Sequence, residues 1–418
     1  MDFSNFGKRF TCDSGITQLM DDLNDGLQNP DAIMLGGGNP AQIPQALTQF
    51  EAELSQLLSN GKLLHSLTNY DGPQGKDVFV SALAQMFHRD FGWPISKENI
   101  ALTNGSQSSF FYLFNLLAGE CQNQHKKVLL PLAPEYIGYA DTGLSDEMFI
   151  SVKPKIDMLS DGQFKYHIDF DALEISDDIG LICVSRPTNP TGNVLTDLEI
   201  EKLDQLARAH QIPLLIDNAY GLPFPNIVFT DAKPHWNDNT ILCLSLSKLG
   251  LPGSRCGIVI AQPEIIRALA NLNGITNLAP GSVGPAIATQ MIEQNRLQSL
   301  CDDVITPYYQ AKSQATIALI RQHLDSEQVL IHKSEGAIFL WLWFPHLPIS
   351  SVEFYRRLKA RGVLVVPGEH FFIGLQDQNW PHAKQCLRLN YVQADDKMAK
   401  GIAIIAEVYQ QLLNESAH

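Results

Sequence analysis

The amino-acid sequence predicts an α/β protein with two domains of unequal size. The larger domain would hold a mostly parallel sheet of the seven-stranded type, covered by helices, and the smaller domain would be α+β. Three observations predict this. The chain has 418 residues, which is more than one hydrophobic core usually supports. Short apolar runs without polar alternation recur through its middle part, and the order of elements changes near residue 300.

The domain boundaries follow from that change in pattern. Residues 1–45 are predicted to form an N-terminal arm and part of the small domain. Residues 46–300 would form the large domain, and residues 301–418 the small C-terminal domain. Within the N-terminal segment, residues 17–27 are predicted to form a short helix.

Charge and cysteine usage argue against several classes of protein. The chain has 30 basic and 45 acidic residues, for a net charge of −15, so neither nucleic acid nor an anionic membrane is expected as a partner. The apolar run 337–344 is too short to span a bilayer. Residues 1–8 lack the apolar core of a secretory signal, and we expect a cytoplasmic protein. The seven cysteines form no C-x-x-C pair, so we expect reduced thiols and no metal site.

Two early segments carry groups that could face a ligand. The glycines Gly36 to Gly38 precede Asn39 and permit close approach of backbone, although a tight turn would explain them equally well. A turn at residues 69–75 displays the hydroxyl of Tyr70. Neither segment by itself indicates a function.

A helix start further along is a candidate anion site. After a helix predicted over 76–91, a strand beginning at residue 100 leads through Gly105, Ser106 and Gln107 into an apolar helix. Free backbone amides and the helix dipole favour an anion at such a position. A serine that only caps the helix is the alternative.

Five apolar runs are predicted to be buried strands of the large sheet. They lack the alternation of half-exposed strands, and a helix predicted over 196–210 separates two of them, which favours parallel pairing. In such a sheet the carboxyl ends of the strands form the ligand site. The runs are 128–132, 180–185, 213–217, 240–246 and 256–260.

Polar side chains follow four of these strands. Tyr136 comes after the first, Asn189 after the second, Asp217 and Tyr220 at the end of the third, and Lys248 after the fourth. Because the carboxyl ends of parallel strands lie at one edge, we expect these side chains to converge in one crevice. That convergence is the argument for a site, since each segment alone is weak.

The loop around Lys248 combines one amine, two hydroxyls and one guanidinium. Ser245 and Ser247 flank the lysine, and Arg255 follows it beyond a turn rich in glycine and proline. An amine forms an imine with an aldehyde, while hydroxyls and a guanidinium bind phosphate. A lysine after a strand is otherwise an ordinary solvated residue, so this reading depends on the other segments.

The C-terminal part is predicted to be an α+β unit with one buried charge. Its apolar strand 385–391 contains Arg388. A strand arginine usually faces water, but here we expect it to face the crevice. The predicted elements are helices over 308–324, 352–361 and from residue 397, and strands over 336–344, 363–367 and 385–391.

Together these residues suit pyridoxal phosphate and an amino-acid substrate. Asp217 would pair with the ring nitrogen and keep it protonated, so that the ring withdraws electrons. Asn189 and Tyr220 would hydrogen-bond the phenolic oxygen, and Tyr136 would stack on the ring. The phosphate would be held by Gly105, Ser106, Gln107, Ser245, Ser247 and Arg255.

Two residues would act on the substrate itself. Once displaced from the cofactor, the amine of Lys248 could move the α-proton as base and acid. Arg388 would clamp the α-carboxylate, aided by Asn189 and by the backbone near Gly38 and Asn39.

The ordered series of motifs resembles the fold-type-I pyridoxal-phosphate aminotransferases over nearly the whole chain. The series runs Gly-Asn-Pro, Tyr-Asp-Gly, Asn-Gly-Ser-Gln, Pro-Glu-Tyr, Asn-Pro-Thr-Gly, Asp-Asn-Ala-Tyr, Ser-Leu-Ser-Lys, Gly-Ser-Arg and Leu-Arg-Leu-Asn-Tyr. Three segments resemble more narrowly the branch that exchanges an amino group between valine and pyruvate. The resemblance implies a homodimer in which Tyr70 reaches the partner's phosphate, and substrates that are amino acids and 2-oxo acids.

Other reactions on the same scaffold stay open at this level. Another small apolar amino acid could be the donor, since no second arginine for an acidic side chain is evident. A pyridoxal-phosphate lyase, racemase or decarboxylase would use the same residues, because the bond held perpendicular to the ring decides the reaction. A non-catalytic ligand sensor would need no lysine amine.

Overall fold

A large sheet of eight strands forms the centre of the part of the chain that the structure describes. The computed structural model describes residues 2–11, 17, 21, 31–375 and 379–416. In the large sheet, Ile179–Ser185, Leu214–Asp217 and Thr240–Ser245 are parallel neighbours. The predicted α/β architecture with a mostly parallel sheet is confirmed. From edge to edge the strands are Ile100–Thr103, Gly257–Ile260, Thr240–Ser245, Leu214–Asp217, Ile179–Ser185, Gln124–Leu130 and Gly119–Cys121, and Phe149–Ser151 also pairs with Gln124–Leu130.

Both faces of this sheet are covered by apolar side chains. Leu214 and Ile216 belong to one buried hydrophobic cluster, whereas Leu215 between them belongs to another on the opposite face. Successive side chains of a strand point to opposite faces, so burial on both sides requires the continuous apolar runs seen in the sequence. This explains why the runs do not alternate.

The strand Gly257–Ile260 runs antiparallel to both of its neighbours. It follows Thr240–Ser245 after a loop that contains only the short 3₁₀ turn Pro252–Ser254. A parallel connection needs a crossover of a dozen or more residues, and the loop that carries Lys248 has no such crossover. The direction of this strand therefore follows from the tight loop.

Helices surround the sheet and begin with recognisable caps. The helix Asp197–Ala209 starts at Thr196, whose hydroxyl accepts from the Glu199 amide while the Glu199 side chain accepts from the Thr196 amide. The described helices are Asn5–Arg9, Pro44–Ser59, Lys62–Thr68, Asp77–Phe91, Ser106–Leu117, Asp197–Ala209, Pro263–Thr276, Val283–Glu293, Arg296–Leu300, Thr306–His323, Ser351–Ala360 and Asp395–Ser416, with a π-helical turn at Cys301–Ile305 and further 3₁₀ turns at Lys97–Asn99, Ile137–Tyr139, Gly368–Phe371 and Pro381–Gln385. The predicted helix 17–27 lies outside the described residues, apart from residues 17 and 21.

A second sheet of six strands lies mostly in the C-terminal part. The strand that carries Arg388 pairs antiparallel with Phe339–Trp343, which lies within the strand predicted over 336–344. Two further members come from much earlier in the sequence, where no strand was predicted. Its order is Val366–Pro367, Cys386–Asn390, Phe339–Trp343, Leu330–His332, Gln163–His167 and Lys155–Met158.

The N-terminal segment also joins the C-terminal part. Its strand Ile33–Met34 pairs in parallel with Val363–Leu364, which leads Gly36 to Gly38 toward the Arg388 strand. The boundaries 1–45, 46–300 and 301–418 stay a prediction. In the described part of the chain, no helix has the length and apolar character needed to cross a membrane, and no group of three or more His, Cys, Asp or Glu side chains is placed to hold a metal ion.

Candidate active site

The carboxyl ends of the parallel strands open on a cavity of about 190 Å³. All predicted site residues border it except Gly105, Asn39 and Tyr70. The convergence expected from the strand order is therefore present in the structure, and residues from both sheets contribute to it. The predicted residues that line it are Gly38, Ser106, Gln107, Tyr136, Asn189, Asp217, Tyr220, Ser245, Ser247, Lys248, Arg255 and Arg388.

Lys248 projects its amine into this cavity from the loop after Thr240–Ser245. Its Nζ donates to the carbonyl of Gly38 at 2.5 Å and lies 5.3 Å from the centre of the Tyr220 ring. Burial, followed by the positive charges of Arg388 and Arg255, lowers the pKa of this amine to about 8. The neutral, nucleophilic amine is therefore more abundant near neutral pH than in an ordinary lysine, at about a tenth of the total at pH 7.

Asp217 ends its strand with a buried carboxylate. Oδ2 accepts from the hydroxyl of Tyr139 at 2.8 Å, and Oδ1 accepts from the amide of Ala219 at 2.9 Å. Burial raises the pKa of Asp217 to about 6, and these hydrogen bonds oppose that shift. The carboxylate thus faces the cavity with two of its acceptor positions already used.

Sequence reasoning missed the residues behind Asp217. Tyr139 is fully buried and also lies 3.3 Å from the hydroxyl of Ser185, which in turn lies 2.5 Å from a carboxylate oxygen of Glu135. Tyr139 and Glu135 belong to the same segment as Tyr136. The sequence therefore identified the segment, but only Tyr136 was predicted as a site residue. The spacing gives no signal for a contact that depends on how the segment around the 3₁₀ turn Ile137–Tyr139 packs against the ends of the strands.

The opposite end of the cavity collects hydrogen-bond donors. The helix Ser106–Leu117 begins there, with its first amides free of helical partners. Arg255 lies beside Gly105, where a Cβ would come within 2.4 Å of its Nη2. Gly105 also has φ +91°, a left-handed value that favours glycine. Glycine at this position therefore lets the guanidinium approach the helix start, although Gly105 itself does not line the cavity.

Two serines complete this donor end. Ser245 is buried, and its hydroxyl accepts from the amide of Ser247 at 3.1 Å. Gln107 turns its side-chain amide away to donate to the carbonyl of Gly138 at 2.8 Å. Hydroxyls, amides and one guanidinium around one end of a cavity match the geometry of a phosphate site.

Arg388 is buried at the strand centre, as the sequence predicted against the usual preference. Nη1 donates to Oδ1 of Asn189 at 2.8 Å, and Nη2 donates to the carbonyl of Gly36 at 2.6 Å. Its Nε has no hydrogen-bond partner among the described residues. The guanidinium lies 4.1 Å from the centre of the Phe339 ring, and burial lowers its pKa to about 10. A buried cation without a carboxylate partner is suited to bind one from a ligand.

Aromatic rings form the remaining walls. Tyr136 meets Tyr139 edge to face at 5.3 Å, and Tyr220 meets Phe339 in the same way at 5.9 Å. A Cβ at Gly138 would come within 2.4 Å of the Tyr136 ring, so the ring rests directly on that backbone. A flat ring fixed in this way can cover a planar ligand.

Besides Gly105, two predicted residues do not border this cavity. Tyr70 is 82% exposed. Asn39 borders a neighbouring cavity of about 220 Å³, with mainly apolar walls, that also reaches Lys248. Neither contacts the main cavity within one copy of the chain.

Comparison with known proteins places this geometry in context. Residues 31–405 match the family model described as aminotransferase class I and II. The chain is 58% identical over 417 residues to the valine–pyruvate aminotransferase of Escherichia coli K12, and the match covers 100% of both chains.

Two solved structures are also similar. The valine–pyruvate aminotransferase of Salmonella typhimurium LT2 has a TM-score of 0.90 and 58% identity, covering 96% of this chain and 100% of that one. A protein of Psychrobacter arcticum 273-4 assigned as an amino-acid aminotransferase has a TM-score of 0.97 and 46% identity, covering 99% of each chain.

Proposed function

This chain belongs to the class I and II aminotransferases, and we propose that it exchanges an amino group between valine and pyruvate, giving 3-methyl-2-oxobutanoate and alanine. The family resemblance found in the sequence is thereby confirmed. The observation that carries the reaction class is a single cavity bordered by Lys248, Asp217 and Arg388. The substrate pair is supported by whole-chain similarity to two enzymes named for valine and pyruvate.

The donor set of the cavity fits pyridoxal 5′-phosphate. Ser106, Gln107, Ser245, Ser247 and Arg255 would hold the phosphate, because their amides, hydroxyls and guanidinium lie at one end. Asp217 would face the ring nitrogen, and its carboxylate favours a protonated ring. When bound, this cofactor supplies an electron-withdrawing ring that stabilises negative charge at the substrate α-carbon.

Tyr136, Asn189 and Tyr220 would orient the ring. Tyr136 would cover one face, while Asn189 and Tyr220 would donate to the phenolic oxygen. Burial raises the pKa of Tyr220 well above its ordinary value, so its hydroxyl stays protonated and able to donate at neutral pH.

Lys248 would be the catalytic base. Its Nζ would accept the proton of the substrate α-carbon, acting as a base. The same amine would then donate that proton as an acid. The lowered pKa makes the neutral amine available for this step. The carbonyl of Gly38 accepts a hydrogen bond from Nζ and would fix the position of the amine.

Arg388 would bind the α-carboxylate that all amino acids and 2-oxo acids share. Its unpartnered Nε and its buried position are the features that support this role. Asn189, which already accepts from Nη1, would keep the guanidinium oriented. Gly38 and Asn39 would contribute the nearby backbone.

A homodimer would give Tyr70 a role. Its side chain projects into solvent in one copy of the chain, and in a dimer it could reach the phosphate of the partner subunit. The enzyme would act in the cytoplasm on small molecules, without nucleic acid or membrane.

The test is a product balance. Purified protein with pyridoxal phosphate, valine and pyruvate should form alanine and 3-methyl-2-oxobutanoate in equal amounts, with no carbon dioxide and no racemised valine. A panel of other amino donors with pyruvate measures the substrate range. Decarboxylation, racemisation or the absence of alanine would contradict the proposal.

A further inference from the structure

We propose that Glu135 is a positioning residue that controls the proton affinity of Asp217 through the hydroxyls of Ser185 and Tyr139. The inference rests on the proposed function, because Asp217 matters through the cofactor ring that it would face. Glu135 itself does not border the cavity and has no part in the proposed chemistry. Its carboxyl is nevertheless one of the most deeply buried in the described part of the chain, with 1% of the residue exposed.

The four residues form a continuous line of hydrogen-bonding atoms. Oε2 of Glu135 lies 2.5 Å from Oγ of Ser185, this Oγ lies 3.3 Å from the hydroxyl of Tyr139, and Tyr139 donates to Oδ2 of Asp217 at 2.8 Å. Every member is buried. Of the four, only Ser185 and Asp217 border the cavity, so Glu135 and Tyr139 lie away from any water that it holds.

The proton of each hydroxyl can serve only one partner. Tyr139 gives its proton to Asp217, so its oxygen can only accept from Ser185. If Glu135 is protonated, it donates to Ser185, and Ser185 donates to Tyr139, so that every hydroxyl gives and receives one hydrogen bond. If Glu135 is ionised, Ser185 must turn its proton to Glu135, and Tyr139 loses that donor. Protonation of Glu135 thus decides the direction of the Ser185 hydroxyl.

The surrounding backbone accommodates either form of the carboxyl. Oε1 accepts from the Ser185 amide at 2.9 Å and Oε2 from the Tyr136 amide at 3.3 Å. The amide of Glu135 donates to the carbonyl of Phe371, at 2.9 Å. No lysine or arginine forms an ion pair with Glu135 among the described residues. The carboxyl is therefore held in place by neutral groups, which leaves its charge uncompensated.

The charges nearby favour one negative charge on the pair of carboxyls. Burial, together with the negative charge of Asp217, raises the pKa of Glu135 to about 8, whereas that of Asp217 rises only to about 6. Between these values Asp217 is ionised and Glu135 is neutral, which puts the charge on the carboxylate that faces the cavity. The titratable and charged groups around the two carboxyls are Tyr136, Tyr139, Cys183, Tyr220, Cys243, Lys248, Arg255 and Arg388.

Ionisation of Glu135 should strengthen proton binding in the cavity. It adds a second negative charge and weakens the donation of Tyr139 to Asp217, so nearby protons become harder to remove. The absorption of the bound cofactor changes at a characteristic pH in the holoenzyme. This pH should therefore be higher with Glu135 than with a residue at position 135 that cannot ionise.

Three variants separate the possible causes. Glu135→Gln keeps an oxygen for the Ser185 amide and a donor for the Ser185 hydroxyl, but it cannot ionise. Ser185→Ala keeps the carboxyl of Glu135 but removes the hydroxyl that connects it to Tyr139. Ser313→Ala is the matched control, because it removes another buried hydroxyl, paired with Ser334 at 2.7 Å, away from the cavity.

Two measurements test the proposal. Infrared difference spectra of the cofactor-free protein between about pH 6.5 and about pH 9.5 should show a protonated-carboxyl band that disappears with rising pH and is absent in Glu135→Gln. In the holoenzyme, Glu135→Gln and Ser185→Ala should lower the midpoint of the cofactor absorption change by about half a pH unit or more, while Ser313→Ala leaves it unchanged.

Each outcome decides between the alternatives. A band that persists in Glu135→Gln, or a midpoint that stays at the wild-type value in that variant, would overturn the role of Glu135. If only Ser185→Ala keeps the wild-type midpoint, the effect of Glu135 is not transmitted through Ser185. If Glu135→Gln does not fold, the midpoint of Ser185→Ala alone decides whether the proposal holds. The infrared measurement does not depend on turnover. If the wild-type protein did not exchange valine and pyruvate, that result would contradict the proposed function without deciding the role of Glu135.

Discussion

The two sheets contribute to the active site in different ways. The large sheet supplies Asp217 and Lys248 from the carboxyl ends of parallel neighbours, where several strands fix the positions of the side chains. The small sheet supplies Arg388 from the middle of one strand, where Asn189 and Gly36 from other parts of the chain hold it. In the proposed function, the residues of the chemical step therefore come from the large sheet and the carboxylate-binding residue comes from the small sheet. Variants in one sheet should therefore change the rate, and variants in the other should change substrate binding.

The largest effect is expected from Lys248→Ala. Because this variant lacks the proposed base for the α-proton, kcat should fall by about 10⁴-fold. Lys202→Ala, which removes an exposed lysine of the helix Asp197–Ala209, is the control and should keep wild-type activity. Single-turnover measurements with valine follow the loss. A kcat within tenfold of wild type would rule out Lys248 as the base.

Asp217→Asn should come next, again as an effect on rate. An amide has no negative charge to keep the cofactor ring nitrogen protonated, so kcat should fall by about 10³-fold with little change in KM. Asp238→Asn, at an exposed carboxylate that pairs with Arg208, serves as the control. A change in KM alone would place Asp217 in substrate binding instead.

Arg388→Ala should affect binding rather than the chemical step. Loss of a buried partner for a carboxylate costs about 2–5 kcal/mol, so kcat/KM should fall by about 30-fold to about 5,000-fold. The loss should be similar for valine and alanine, because both carry the same carboxylate. Arg356→Ala removes an exposed arginine paired with Glu353 and should have no effect. A loss confined to valine would contradict the carboxylate role.

The pH dependence of turnover sharpens the same comparison. Only the neutral amine of Lys248 can accept a proton, and its pKa is about 8, so kcat should rise about tenfold per pH unit below that value and level off above it. Arg388 is one of the two charges that lower this pKa. In Arg388→Ala the midpoint of the residual rate should therefore move to higher pH. A downward shift would show that the two sheets are not coupled through charge.

The smallest effect is expected from Tyr139→Phe. This variant removes the hydroxyl that donates to Asp217 at 2.8 Å but keeps the ring packed against Phe110 and Phe114. We expect a decrease in kcat of about fivefold to tenfold, since one hydrogen bond to a charged group contributes about 1.5–3 kcal/mol at most and its effect here is indirect. An unchanged rate would mean that Asp217 does not depend on Tyr139.

Much of the large sheet could be predicted because its information is local. The continuous apolar runs around Leu214–Asp217 and Thr240–Ser245 reflect burial on both faces, and parallel strands bring their carboxyl ends together. Tyr136, Asn189 and Lys248 therefore converge as expected. Their catalytic roles remain a proposal.

Other features could not be predicted because they depend on long-range pairing. The strand Gln163–His167 joins the small sheet through contact with Leu330–His332, about 170 residues later in the sequence. Likewise, the contact between Tyr139 and Asp217 joins a side chain of the 3₁₀ turn Ile137–Tyr139 to one at the end of the strand Leu214–Asp217. Sequence spacing carries no signal for either contact.

In the proposed active site, a single amine, that of Lys248, bonds the cofactor. The most direct measurement is borohydride reduction of the holoprotein, followed by digestion and mass spectrometry of the modified peptide. We expect one pyridoxyl group, carried by Lys248, with no labelling in Lys248→Ala. Stable labelling of another lysine, at full occupancy, would contradict it.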